Sequence, residues 1–164
     1  MHVADQDSTD FQKCIAHLDA HESTHQHSKS RLLVLGALSG RLDQTLATIS
    51  TLYSIDACRH TMLVSNDSTA TLLPATTPTK GDTIPNRIRC LKGFEGPHCG
   101  IASLTCDARV TTTGLKWNLD QSMTVAMDKL ISSCNLLDFG LDEWCEVTVC
   151  NSHPVLWTVA VDLH

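Results

Sequence analysis

Three carboxylates crowd into six residues near the start of the chain, Asp5-Gln6-Asp7-Ser8-Thr9-Asp10. In extended backbone alternate side chains share a face, so Asp5 and Asp7 point to one place while Gln6 faces away. Two close carboxylates suit magnesium, which keeps most of its waters and takes one or two carboxylates together with substrate phosphates. The same run also suits a solvated segment in which Ser8, Thr9 or Asp10 merely caps a helix. A second group lies at Gly36-Ala37-Leu38-Ser39-Gly40-Arg41-Leu42-Asp43-Gln44. A glycine-bearing turn between a strand and a helix presents backbone N–H groups and a positive dipole end to an anion. It lacks the Gly-Lys-Ser/Thr ending of a P-loop, so Arg41 has to supply the local positive charge, with Asp43 oriented toward a metal, ribose or base. The plainer alternative is a strand end and a tight turn. The third group is Thr111 to Leu119, containing Trp117, followed by Ser132-Ser133-Cys134-Asn135. An exposed Trp beside Ser132 and Asn135 suits a planar, polar heterocycle, with the ring stacking and the side chains reading its edge. A Trp used as core is the competing use.

The elements that must position these groups follow from apolar spacing. Phe11, Cys14, Ile15 and Leu18 share one face of a helix over Ser8 to about Glu22. Leu32 to Leu35, ended by Gly36, has the length and character of a strand buried on both faces. A second helix carries Leu42, Leu46, Ile49 and Tyr53 on one stripe, and Thr61 to Ser65 forms the next strand, an α/β order with a parallel sheet. Prolines, a glycine and threonines between Pro74 and Pro85 mark a boundary. Beyond it, short β-branched segments at Arg87–Lys92, Gly100–Leu104, Arg109–Thr113, Lys129–Cys134, Glu143–Cys150 and Pro154–Asp162 predict an all-β half, a sandwich or partial barrel. The expected fold class is therefore α/β plus all-β: a parallel-sheet α/β part over 1–75, a linker over 76–85 and a β-sandwich over 86–164.

Composition narrows the classes. With 164 residues and 42% hydrophobic residues the chain can build a real core, and its net charge of -6 argues against a nucleic-acid or anionic-membrane surface. No apolar run reaches the roughly 20 residues of a spanning helix, and the start lacks the pattern of a secretory leader. Eight cysteines (14, 58, 90, 99, 106, 134, 145 and 150) are scattered without a Cys-x-x-Cys pair, so reduced, buried thiols in a cytoplasmic protein are expected. His17, His21 and His25 recur at helical spacing and could ligate zinc, but a wet helix end is by far the stronger reading. His153-Pro154 is expected to turn the chain into its last strand.

Taken together, these stretches resemble the thiamine pyrophosphokinase family, in particular its animal-type members. The resemblance rests on Asp5 to Phe11 with Lys13-Cys14, on Gly40 to Gln44, on Thr111 to Leu119, on Ser132 to Asn135, and on His153-Pro154 with Trp157. It implies an N-terminal α/β ATP-binding catalytic domain, a C-terminal β-sandwich that binds thiamine, and a homodimer. It also implies a reaction, transfer of pyrophosphate from ATP to the hydroxyl of thiamine to give thiamine diphosphate and AMP, with Mg2+ as cofactor and ATP as co-substrate. Carried over residue by residue, Asp7, Asp10, Asp43 and Arg41 are the catalytic set, Gln6, Thr9, Gly40 and Arg41 bind ATP, and Asp5, Asp7 and Asp10 hold metal. Trp117, Ser132 and Asn135 form the thiamine pocket.

Two departures qualify that expectation. Cys134 stands where the family more often has a hydroxyl residue, which weakens one hydrogen bond to the ligand. The family's Gly-Asp-x-Asp-Ser motif, expected well upstream of Asp5, is absent from this sequence. The chain is accordingly expected to be a truncated form whose Leu32–Leu35 strand exposes an apolar edge and whose activity is impaired. A non-catalytic thiamine-binding or dimerising module is the alternative from another class, and a His/Cys metal-binding protein a more distant one.

Overall fold

The computed structural model describes residues 7–26, 28–38, 40–55, 59–76, 78–79 and 82–161. The chain divides into two compact units, Met1–Ser65 and Asn66–His164. The division falls before the boundary expected at 75, because the strand Ser68–Leu73 pairs along its length with Val155–Val161 in the second unit.

In the first unit, helix α1 spans Asp10–His25. Thr9 starts it with a capping box: its Oγ1 accepts from the Gln12 N–H at 3.2 Å, and its own N–H donates to Gln12 Oε1 at 2.8 Å. Phe11, Ile15 and Leu18 are half-buried as the spacing predicts, whereas Cys14 is exposed. The next place on that stripe is Glu22, the one α1 residue that is buried. A buried carboxylate needs a partner, and Glu22 has Arg59, whose side chain is 1% exposed and hydrogen-bonds both carboxylate oxygens. Arg59 also donates to Asp19 at 2.7 Å and to the Ser30 carbonyl at 3.0 Å, while its Nε finds no acceptor among the described residues.

The Arg59 guanidinium holds the Glu22 carboxyl down at about 2, against an ordinary value of 4.5. Because the folded value is depressed, this stabilisation is complete above the ordinary value and is lost as pH falls toward 2. Urea midpoints measured from pH 6 to 2 are therefore expected to fall more steeply for the natural chain than for Glu22→Gln. The variant is expected to be less stable at neutral pH. Superimposable profiles would show that the pair contributes nothing.

Strand β1 (Leu32–Leu35) pairs in parallel with β2 (Thr61–Val64), and helix α2 (Leu42–Ser54) connects them in sequence. This is the expected α/β order. Burial differs from the expectation, since β1 alternates and leaves Leu33 64% and Leu35 73% exposed rather than covered on both faces. Leu42 and Leu46 are exposed too, and α2 buries Thr51 and Leu52 instead. A stripe is buried only where a second layer meets it, and these four leucines meet none among the described residues.

The second unit is a sandwich of two antiparallel sheets. One orders β3 (Ser68–Leu73), β12 (Val155–Val161), β7 (Glu95–Ala102) and β10 (Ser132–Leu136). The other orders β6 (Asn86–Leu91), β11 (Trp144–Asn151), β8 (Ala108–Thr113) and β9 (Thr124–Val125). Two short strands, β4 (Pro78–Thr79) and β5 (Asp82–Thr83), pair within the segment expected as a linker. Strand β3 has no counterpart among the expected segments. Inward residues of both sheets share one core, with Cys90, Cys99, Val110, Cys145, Val147, Val149, Val155 and Trp157 among them. All seven described cysteines are free thiols, and burial pushes those of Cys90 and Cys99 up to about 12, which keeps them protonated and inert.

Candidate functional site

The best-built constellation lies in the second unit, around Trp117. Strand β8 ends at Thr113, and Gly114 after it, with φ of +81°, turns the chain out of the sheet. Leu115 and Leu119 anchor the turn in the core. Between them, Asn118 Oδ1 accepts from the Leu115 N–H at 3.1 Å, and Thr112 Oγ1 accepts from the Leu119 N–H at 2.8 Å. Such side-chain bonds to a turn's backbone fix its shape without a sheet ladder. Trp117, at the apex, is 54% exposed.

Asn135 clamps the backbone under that ring. Its Nδ2 donates to the Trp117 carbonyl at 2.7 Å and its Oδ1 accepts from the Trp117 N–H at 3.2 Å. The same amide reaches Ser132 Oγ at 3.3 Å, and Oδ1 also accepts from the Leu136 N–H at 2.9 Å. Asn135 is 4% exposed, so its hydrogen-bonding capacity goes into holding Trp117 in place. Pairing of β10 with β7 is irregular between Ser132 and Asn135, and that irregularity turns the two residues toward the Trp loop. Gly100 makes room opposite: a Cβ there would lie 2.8 Å from the Ser132 carbonyl. The structure thus brings together Trp117, Ser132 and Asn135. Cys134 is exposed beside them.

Lys116, which sequence reasoning did not single out, places its Nζ 4.8 Å from the centre of the Trp117 ring. A cation over the π face is attracted by the ring quadrupole. Its position next to Trp117 was the available signal, but adjacency alone does not say which face a lysine covers. One face of the indole is thus engaged by Lys116.

In the first unit, Arg41 is the N-cap residue of α2 and reaches Asp43 through Nε at 3.0 Å and Nη2 at 2.5 Å. That guanidinium holds the Asp43 carboxyl below its ordinary range. Both side chains are exposed, so the pair is open to a ligand and weak as a stabiliser. Gly40 precedes it with φ of +87° and open space where a side chain would be. Asp10 lies in the first turn of α1, 3.6 Å from Lys13 Nζ, and Asp7 is exposed just before it. The Thr9 hydroxyl accepts the cap bond from the Gln12 N–H, which leaves its hydrogen to donate. Asp5 and Gln6 lie outside the described residues. Among the described residues no three His, Cys, Asp or Glu side chains form a metal-ligating group. Asp7 and Asp10 fit magnesium by donor type, as hard oxygens, and as a pair they match the one or two carboxylates that ion takes.

Comparison with known proteins covers both units. Residues 1–64 match the family model for the catalytic domain of thiamin pyrophosphokinase, and residues 85–156 match that for its vitamin B1 binding domain. Thiamine pyrophosphokinase 1 of Oryza sativa subsp. japonica is 34% identical over 158 residues, 96% of this chain and 54% of the relative. Thiamine pyrophosphokinase 2 of Arabidopsis thaliana is 32% identical, with the same shares covered. The chain therefore spans about half the length of the curated relatives it matches. Thiamin pyrophosphokinase from Candida albicans has the same fold at a TM-score of 0.78 and 16% identity, over 97% of this chain and 64% of that one. The yeast enzyme gives 0.70 at 18% identity, over 96% and 60%. Matches to both domain models in order, together with these relatives along nearly the whole sequence, place the chain in the thiamin pyrophosphokinase family.

Proposed function

We propose that this chain serves pyrophosphoryl transfer from ATP to the hydroxyl of thiamine, with thiamine held by the second unit and ATP by the first. The observation that carries the reading is the half-exposed Trp117 ring, clamped through its backbone by a buried Asn135 inside the segment that matches a vitamin B1 binding domain. A preset aromatic face binds a flat heterocycle with little ordering cost. Trp117 stacks on the ligand, Ser132 keeps a hydroxyl to donate to its edge, and Asn135 positions the ring.

In the first unit, Arg41 and Gly40 face the phosphates, Asp43 is held ionised, and Asp7 and Asp10 are the carboxylates for magnesium, joined by Asp5. Gln6 and Thr9 complete the nucleotide contacts. Bound magnesium supplies neutralisation of phosphate charge, and the residues' task is to hold the reacting groups in line. The bond between the thiamine oxygen and the β-phosphorus forms as the bond to the α-phosphate breaks, and AMP leaves. A homodimer and a cytoplasmic setting belong to the same proposal. No helix among the described residues is long and apolar enough to cross a membrane.

Calorimetry with thiamine tests the reading. The natural chain is expected to bind it, and Trp117→Ala to weaken binding about tenfold or more, since aromatic stacking is worth about 1–3 kcal/mol per ring. The same preparation, given ATP and magnesium, is expected to release AMP only when thiamine is present. An absence of thiamine-dependent AMP release would overturn the transfer. An absence of thiamine binding would overturn the pocket itself.

A further inference from the structure

We propose that the outward face of the β6-β11-β8-β9 sheet carries an oxyanion site centred on Arg109. Along β8 the side chains alternate, with Ala108, Val110 and Thr112 buried in the core and Arg109, Thr111 and Thr113 turned outward. On the paired strand Cys150 lies opposite Thr111, and Thr148 opposite Thr113. A concavity of about 220 Å³ opens on this face, and Arg109, Thr111, Thr83, Gln121 and Ser152 line it. That is space for one phosphoryl group and several waters, each occupying about 30 Å³.

The donors on its wall are unspent. Among the described residues the Arg109 guanidinium has neither an ion pair nor a hydrogen bond, in contrast to Arg87 and Arg89 on the same face, which both hold Glu146. The Thr111 and Thr83 hydroxyls and the Gln121 amide are likewise without side-chain partners. Among the described residues no carboxylate lines the concavity, and Asp120, next to Gln121, is occupied by the Ser122 N–H and hydroxyl.

The backbone beneath these groups is held firmly. The Arg109 N–H donates to Ser152 Oγ and the Ser152 N–H to the Arg109 carbonyl, each at 3.0 Å. Arg109 also sits opposite Thr124 of β9. A guanidinium fork on a fixed strand, beside two hydroxyls and an amide, is the donor set that binds a tetrahedral oxyanion. The cluster stands out in a chain of net charge -6. It is also separate from the Trp117 pocket, because Arg109 is near the start of β8 and the Trp loop leaves from its end, about 13 Å of strand away at 3.3 Å per residue.

The ligand class is phosphate-type oxyanions, whether free or as the phosphoryl tail of a nucleotide. The full chain is titrated by NMR with inorganic phosphate, pyrophosphate and ATP at constant ionic strength, and thiamine affinity is measured in the same samples. Inorganic phosphate is expected to shift the Arg109, Thr111 and Gln121 signals at millimolar concentration. Arg109→Gln is expected to weaken phosphate binding about tenfold and Thr111→Val severalfold. Arg87→Gln is expected to leave it unchanged, and thiamine binding is expected to stay intact throughout. Tighter binding of ATP with the same loss in Arg109→Gln assigns the site to a nucleotide tail, whereas equal affinities assign it to free phosphate. No phosphate binding by the natural chain, or binding unaltered in Arg109→Gln, overturns the proposal, and neither result touches the thiamine pocket.

Discussion

Replacing Gly114 by alanine is expected to cost about 2–5 kcal/mol of stability and to abolish thiamine binding with it. Two terms combine. At φ of +81° an L side chain pays about 1–2 kcal/mol for the left-handed backbone. The added Cβ would also lie 2.2 Å from the Glu146 carbonyl oxygen and 3.2 Å from the Val147 Cα, which are backbone atoms of the central strand β11 and have nowhere to go. Forced overpacking of that kind adds about 1–3 kcal/mol. The Gly114 carbonyl accepts from the Asp138 N–H at 3.1 Å and from Cys145 Sγ at 3.2 Å, so displacement spreads along β11. Gly93→Ala is the control: its φ is +82°, but nothing lies within 4 Å of the added Cβ, so only the conformational term applies. Urea denaturation of the two variants measures the difference. Equal losses would show that β11 gives way without cost.

Asn135→Ala is expected to lower stability by about 2–4 kcal/mol and thiamine affinity by more than tenfold. Truncation leaves the Trp117 N–H, the Trp117 carbonyl and the Leu136 N–H without their partner; a buried polar group left unpaired costs about 1–3 kcal/mol, and water reaching these part-buried groups offsets part of the sum. Asn135→Asp separates the contributions, because it keeps the acceptor for the two N–H groups and loses the donor to the carbonyl. Trp117→Ala provides the contrast. A ring that is 54% exposed carries little of the fold, so that variant is expected to lose ligand affinity with near-natural stability. If Asn135→Ala kept full thiamine affinity in its folded fraction, the clamp would have no role in positioning the ring.

The strands of the second unit were legible because a half-buried strand alternates. Arg109 to Thr113 was legible by its four β-branched residues in a row, and it is the fold that turns Val110 and Thr112 inward. Strand β3 was missed for the converse reason. Its Ser68-Thr69-Ala70-Thr71 run looks polar, yet Thr69, Ala70 and Thr71 are buried, since threonine packs on a sheet much as valine does. Arg59 escaped notice as well. Its partner Glu22 sits 37 residues away, and no local pattern marks a charge as buried.

The site divides along the same line. Residue types and spacing alone singled out Trp117, Ser132 and Asn135, as well as Arg41 with Asp43, because stacking and charge are properties of side chains that can be read one at a time. What each does was decided by the fold. Asn135 came out as the clamp beneath Trp117 because the irregular β10 pairing carries it across 18 residues of sequence to the Trp117 backbone. Thr9 came out as a helix cap because Gln12 stands one turn away to complete the box. Arg109 passed unremarked in the sequence, and its meaning arises only where strand alternation, the turn at Gln121 and the strand at Thr83 bring unspent donors to one concavity. Composition and spacing determine which chemistry a chain can do. Hydrogen-bond satisfaction in the folded state determines which of those groups are left over to do it, and that accounting closes only in three dimensions.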